Sequence, residues 1–233
     1  MYGYGYRYMF DPTYMLILIG VVLSLLAQAK VKTTYSKYSR VRSLSGLTGA
    51  EAAQRILNTA GIYDVRIQRV RGHLTDHYDP RNKTLNLSDS VYDNQSVAAI
   101  GVAAHEVGHA IQDAKSYAPL KFRNAFVPVA NFGATLSWPL ILIGLVLGGS
   151  QTLITAGIIL FSFAVLFQLV TLPVEFNASR RAVNILGTTG ILHGDEINHT
   201  RKVLGAAALT YVAAAAASIL QLLRLIILFG GRD

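Results

Sequence analysis

The amino-acid sequence predicts a mainly α-helical membrane protein, with about four transmembrane helices and a small cytoplasmic module of mixed α and β structure. Three observations predict this class. Only 15% of the 233 residues are charged, against roughly 25% in an average soluble domain. Mean hydropathy is positive, at +0.38. Long charge-free runs alternate with polar segments, and a spanning helix needs about 20 mostly apolar residues.

The first predicted span lies within residues 1–29, where residues 14–29 read YMLILIGVVLSLLAQA. The aromatic stretch MYGYGYRYMF at residues 1–10 precedes it, as expected of an anchor in the membrane interface. The segment lacks the basic start and the small-residue cleavage site of a removable signal peptide, so we expect it to be retained.

Two further spans are predicted in residues 124–174, which carry no charge and are long enough for a transmembrane hairpin. The sequence GGS at residues 148–150 is the expected turn. The fourth span is predicted in residues 203–233, where the charge-free run 203–223 is rich in alanine and therefore suited to packing against other helices.

The distribution of lysine and arginine predicts the orientation. Residues 30–123 hold fourteen of these side chains and residues 175–202 hold four, out of 21 in the chain. Because positive charge collects in cytoplasmic loops, both polar segments are expected in the cytoplasm of a prokaryotic cell, with a multi-pass chain in the plasma membrane and both termini outside. The net charge of +8 is then explained by topology and by contact with the anionic lipid bilayer, and requires no nucleic acid.

Residues 30–123 are predicted to form a folded module. Thr48 and Glu51 have the spacing of a capping box for a helix over residues 49–60, which Gly61 would end. Short strands are expected at residues 65–70 and in the segments HLTDHYD and KTLNLS, forming a small antiparallel sheet. A second helix, capped by Asn94 or Ser96, is expected to run to about residue 114.

That second helix carries the sequence GVAAHEVGHAIQDA, with His105, Glu106 and His109 in an H-E-x-x-H pattern. Side chains four residues apart lie on one helix face, so both imidazoles can bind one ion, while the glutamate lies at the edge of that face. This spacing is typical of a catalytic zinc site in which the carboxylate takes a proton from metal-bound water. The chain has no cysteine, so thiolate zinc sites are excluded.

A catalytic zinc usually has a third protein ligand, and Glu175 is the leading candidate. It is predicted to start a helix after Pro173 whose face continues with Ala178, Ser179 and Ala182. Such a face could pack closely on the small residues of the motif helix. The competing candidates for the third ligand are His193, Asp195, Glu196 and His199.

Four stretches of the chain carry a resemblance: HEVGHAIQ (residues 105–112), PVEFNASRRA (173–182), LNLSDSVY (85–92) and AAALTYVAAA (206–215). Together they resemble the membrane-type neutral zinc metallopeptidases of bacteria. The resemblance covers most of the chain. It implies a zincin-like module, an N-terminal anchor and one catalytic zinc ion, an arrangement that the gluzincin peptidases share more distantly.

By this resemblance His105, His109 and Glu175 would bind zinc, and Glu106 would be the general base. Many gluzincins have an acidic residue four positions after the ligand glutamate, where it orients the first histidine, but this chain has Ser179 there.

Peptidases of this type bind substrate as an added strand at a sheet edge. We therefore consider Leu85, Asn86 and Leu87 as such an edge, with an interior strand as the alternative. His199, His193 and Arg180 are further candidates, for oxyanion stabilisation.

The function expected from the sequence is a membrane-embedded zinc metalloendopeptidase that acts on membrane-associated or misfolded proteins and peptides. Two alternatives remain open. One is an intramembrane protease of the site-2 type, and the other is a non-catalytic membrane scaffold in which zinc has only a structural role.

Overall fold

The computed structural model describes residues 11–230 and confirms the predicted fold class, a mainly helical chain with a small sheet. The aromatic segment 1–10, predicted to be an interfacial anchor, lies outside the described residues. The elements in chain order are α1 Tyr14–Tyr38, α2 Gly49–Thr59, β1 Arg66–Val70, β2 His77–Asp79, β3 Thr84–Ser88, α3 Val97–Ala114, α4 Ala118–Val146, α5 Gln151–Thr188 and α6 Asp195–Phe229.

Four of the described helices, α1, α4, α5 and α6, are long and apolar enough to cross a membrane. Each corresponds to one of the four predicted spans, with α4 and α5 sharing the charge-free run 124–174. All four helices extend beyond the charge-free sequence into segments that contain charged residues. Each is therefore one continuous helix with an apolar part and a polar end. The helix α3, which carries the H-E-x-x-H motif, is not among them.

The prediction that a new helix begins at Glu175 is wrong. The helix α5 continues through Pro173, and Glu175 lies well inside it. A proline within a membrane helix is tolerated where neighbouring groups satisfy the backbone it frees, and α4 likewise contains Pro128 and Pro139.

The described chain divides into two compact units. The first unit comprises residues 11–27, 122–171 and 210–230, which are the apolar parts of the long helices. Small residues bring these helices together: a methyl group at Gly133 would lie 2.5 Å from the carbonyl oxygen of Leu160, and one at Gly20 would lie 3.1 Å from the Cα of Ala217.

The second unit comprises residues 28–121 and 172–209. The helix α2 begins with the predicted capping box, in which Thr48 Oγ1 accepts from the backbone N–H of Glu51 and the Glu51 carboxylate accepts from the N–H of Thr48. It packs on α3, which begins after its N-cap Ser96. Between α2, α3 and the sheet lies a core of fully buried side chains that includes Ile56, Leu57, Leu85, Leu87 and Ile100.

The sheet is mixed, with strand order β1-β3-β2, and the prediction of an antiparallel sheet is wrong for one of its two pairs. The strands β2 and β3 form the predicted antiparallel hairpin, but β1 pairs with β3 in parallel. Every residue of β3 is buried, whereas β1 and β2 retain exposed residues. The most buried strand therefore takes the centre, with β1 parallel to it on one side and β2 antiparallel to it on the other.

The hypothesis that Leu85, Asn86 and Leu87 form a free edge is therefore wrong. They belong to β3, which has a neighbour on both sides, so its main chain has no open side for an added strand. The edge strands of this sheet are β1 and β2.

Candidate metal centre

Two of the candidate ligands lie one turn apart on α3. His105 and His109 are largely buried, with side chains 12% and 10% exposed. Their ring centroids are 4.8 Å apart and the rings are nearly perpendicular. The i, i+4 spacing thus brings two imidazoles to the same point beside the helix, as predicted from the motif.

The third candidate, Glu175, reaches this point from α5. Its Oε2 lies 3.3 Å from His105 Nε2 and 3.5 Å from His109 Nε2. The side chain is buried, at 4% exposure. One ligand atom from each of the three residues can be chosen so that all lie within 4.8 Å of one another.

The close approach of α5 to α3 depends on a glycine. A methyl group at Gly108 would lie 2.7 Å from the carbonyl oxygen of Ala178, closer than the Cβ atoms of real proteins essentially ever come to a neighbouring atom. Ala178 and Ala182 on α5 are fully buried. Without bulk on either face, the backbone of α5 can come near enough for Glu175 to reach the imidazoles.

Both histidines have hydrogen-bonding partners on the ring nitrogen that faces away from Glu175. Ser179 Oγ lies 3.0 Å from His105 Nδ1, and Gln112 Oε1 lies 3.0 Å from His109 Nδ1. An acceptor at Nδ1 favours the tautomer that carries its proton there, which leaves the Nε2 lone pair toward the shared point. Ser179 therefore contacts the histidine that an acidic residue orients in many gluzincins.

Gln112 is a functional candidate that the sequence did not single out. Its side chain is fully buried. Besides accepting from His109, it donates its amide to the carbonyl oxygen of Val174 at 2.8 Å and to Asn177 Oδ1 at 3.0 Å. One side chain thus links a candidate ligand, His109 on α3, to the turn of α5 that carries Glu175. The available signal was its position three residues after His109 on the same helix.

Glu106 is buried at 9% exposure and lies outside the three-ligand group. The backbone N–H of Tyr78, in β2, donates to Glu106 Oε2 at 3.1 Å. The edge strand β2 thereby fixes this carboxylate beside the imidazoles. Almost every residue has a backbone N–H, so the sequence does not indicate which one donates to Glu106, and this contact could not be predicted.

Negative charge is concentrated around the histidines. Burial alone would lower the pKa of His109, but contact with the Glu175 carboxylate and the charge of Glu106 outweigh burial, so the pKa is raised. Burial raises the pKa of Asp76, and the charge of Glu106 raises it further. Hydrogen bonds from the backbone N–H and hydroxyl of Ser88 partly offset that rise. Such a site favours a bound cation.

The residues present fit a zinc ion. Two imidazole nitrogens and one carboxylate oxygen match the His₂Glu ligand set of zinc hydrolases, so His105, His109 and Glu175 would hold the ion. The fixed Nδ1 partners add the outer support that zinc-binding histidines normally have.

The competing candidates for the third ligand do not join this group among the described residues. Glu196 instead accepts hydrogen bonds from the backbone N–H groups of Leu44 and His193, at 2.8 and 3.1 Å. The ring of His199 stacks on Tyr38, with centroids 4.6 Å apart. Asp195 lies exposed in the first turn of α6, and the oxyanion candidate Arg180 is also exposed.

The four long apolar helices and the His-His-Glu cluster define a helical membrane protein with a centre suited to zinc. Comparison with known proteins identifies the family: the chain matches the family described as "Putative neutral zinc metallopeptidase" over residues 13–230, and it belongs to that family. It is 54% identical over 212 residues to a protein of Bacillus subtilis (strain 168) named "Putative membrane protease YugP", a match that covers 91% of this chain and 94% of the relative. No solved structure matches the chain significantly.

Proposed function

We propose that the protein is a membrane-embedded zinc metalloendopeptidase, with His105, His109 and Glu175 as zinc ligands and Glu106 as general base. The observation that carries the proposal is the convergence of the two Nε2 atoms and the Glu175 carboxylate beside a separately held Glu106. The family and the name of the Bacillus relative support the same activity.

Each residue has a distinct task in the proposed reaction. When bound, zinc supplies the Lewis acidity that makes a water molecule acidic near neutral pH. Glu106 takes the proton of that water and passes it to the leaving amine. The N–H of Tyr78 holds the Glu106 carboxylate in position for this transfer, while Ser179 and Gln112 keep the ligand imidazoles oriented.

For the substrate we propose that the peptide main chain lies along the free edge of β2. This strand has a neighbour in the sheet only on the β3 side, and it directly contacts Glu106 through Tyr78. An extended peptide at this edge can form main-chain hydrogen bonds with groups of β2 other than the Tyr78 N–H, which Glu106 occupies, and thereby present its carbonyl groups to the centre.

We further propose that the centre faces the cytoplasm and that the substrates are membrane-associated or misfolded proteins. The lysines and arginines of residues 30–123 and 175–202 support the orientation. Glu175 directly follows the charge-free run 124–174, which supports substrates close to the bilayer. Cleavage within the membrane is disfavoured because α3 is not among the helices apolar enough to span it.

The test is a comparison of purified full-length variants by zinc analysis and casein degradation. Glu106→Gln should retain about one zinc per chain but lose cleavage by about 10²–10⁴-fold, the usual contribution of a general base. Glu175→Ala should lose both zinc and cleavage. Glu51→Gln, which changes an exposed carboxylate on α2, is the control and should keep both.

Undiminished cleavage by Glu106→Gln would refute the assigned mechanism. Wild-type protein that holds zinc and cleaves none of a panel of unfolded substrates would instead favour the scaffold alternative.

A further inference from the structure

A groove between the second half of α1 and the first half of α6 has a volume of about 410 Å³ and lies apart from the residues of the metal centre. Lys30 and Lys37 line it from α1, and Lys202 lines it from α6. The hydroxyl residues Thr33 and Thr34 lie between the two lysines of α1. None of the nine lining residues is acidic.

The helical repeat explains why these side chains meet. The α1 positions 30, 33, 34 and 37 follow the i, i+3, i+4, i+7 pattern, so they occupy one face of the helix. Lys32, two positions from Lys30, points to another face and does not line the groove. On the α6 side Gly205 has no side chain, which keeps the groove open.

The positive charge of the groove is not paired with any carboxylate among the described residues. Within residues 11–230, no ion pair joins Lys30, Lys37 or Lys202 to a carboxylate. Lys83, by contrast, lies 2.6 Å from Asp113. Three ammonium groups that share a concave, acid-free surface favour an anion as a counter-charge.

The position of the lysines along their helices indicates where that anion comes from. Lys30 directly follows the charge-free run of α1, and Lys202 directly precedes the charge-free run of α6. Residues at such boundaries lie at the level of the lipid headgroups when the apolar runs cross the bilayer. The lining also includes Ala206 and Leu209, which offer apolar surface to the part of a lipid below its phosphate.

We propose that this groove is a binding site for the phosphate of an acidic phospholipid, held by Lys30, Lys37 and Lys202. The site differs from general attraction to an anionic surface because it requires lysines of one helix face and not their neighbours. A bound lipid would bridge α1 and α6, the two helices that form the walls of the groove.

The experiment titrates the detergent-solubilised full-length protein with short-chain phosphatidylglycerol and counts bound lipid by native mass spectrometry. Short-chain phosphatidylcholine and inorganic phosphate are the comparison ligands. Wild-type protein should bind phosphatidylglycerol saturably and more tightly than either. Replacing Lys30, Lys37 or Lys202 by glutamine should weaken binding about five-fold each, as expected for one lysine near an anionic headgroup. Lys32→Gln is the matched control and should bind as the wild type does.

A variant that preserves the charge distinguishes loss of the charge from loss of the fold. Lys202→Arg keeps the charge and should bind as the wild type does, whereas Lys202→Gln should bind about five-fold more weakly. The proposal is overturned if Lys32→Gln weakens binding as much as Lys30→Gln, because the attraction would then be diffuse. It is also overturned if phosphatidylcholine or inorganic phosphate binds as tightly as phosphatidylglycerol.

Discussion

Gln112 offers the sharpest test of the proposed metal centre, because one buried amide contacts both helices that carry the proposed zinc ligands. Replacing it by leucine preserves approximate volume but removes the acceptor from His109 Nδ1 and the donors to Val174 and Asn177. The imidazole then loses the partner that fixes its tautomer and its orientation. We expect zinc affinity to fall, even though no zinc ligand has been changed.

The magnitude follows from the contacts. Loss of an outer partner of a ligating histidine typically lowers metal affinity about 10–100-fold, which corresponds to about 1.4–2.7 kcal/mol. The two donated hydrogen bonds contribute about 1 kcal/mol each to stability. Their acceptors lie in the turn of α5 around Glu175, so the metal-free protein should also unfold at a lower temperature.

The assay is competition for zinc between purified protein and a fluorescent chelator of known affinity, together with thermal unfolding of the metal-free form. Gln112→Glu separates the two effects, since a carboxylate still accepts from His109 Nδ1 but cannot donate to α5. Its zinc affinity should lie closer to that of wild type than the affinity of Gln112→Leu does. Gln54→Leu, an exposed glutamine on α2, should change neither quantity. Wild-type zinc affinity in Gln112→Leu would refute the positioning role.

Two further predictions concern packing and orientation. Gly108→Ala should push α5 away from α3, because the added methyl group meets the Ala178 carbonyl at 2.7 Å, and it should reduce zinc content. Gly205→Ala meets nothing within 4 Å and should keep wild-type zinc content, so equal zinc loss in both variants would contradict the reasoning. Tyr63→Cys places a single thiol at a site where the native side chain is 79% exposed, in a chain without cysteine. A membrane-impermeant maleimide should label it in inside-out vesicles and not in intact spheroplasts, and the reverse pattern would contradict the proposed orientation.

The parts of the fold that could be predicted are those encoded over short distances. The capping box at Thr48, the N-cap at Ser96 and the helix that carries His105 and His109 depend on residues within a few positions of one another. Charge-free runs likewise identify the apolar helices, because about 20 residues suffice to recognise a span.

The parts that could not be predicted depend on contacts between distant segments. The strand β3 is central and buried on both faces. Its sequence TLNLS alternates polar and apolar residues, a pattern that predicts burial of one face only. Proline normally limits a helix, so Pro173 led to a predicted boundary that the continuous α5 does not have. The hydrogen bond from Gln112 to the Val174 carbonyl oxygen joins residues 62 positions apart, and the one from Tyr78 to Glu106 joins residues 28 positions apart. Neither contact has a signal in the local sequence.

The two buried glutamates of the centre have different partners, and this difference supports the separate roles of ligand and base that we propose for them. Glu175 Oε2 is within 3.5 Å of both imidazole Nε2 atoms, so a cation shared with them lies within its reach. Glu106 instead accepts an N–H from β2 and lies outside the group formed by the two imidazoles and Glu175. A buried carboxylate that lies beside the candidate ligands, but not among them, has the position that the proposed hydrolysis requires of a general base.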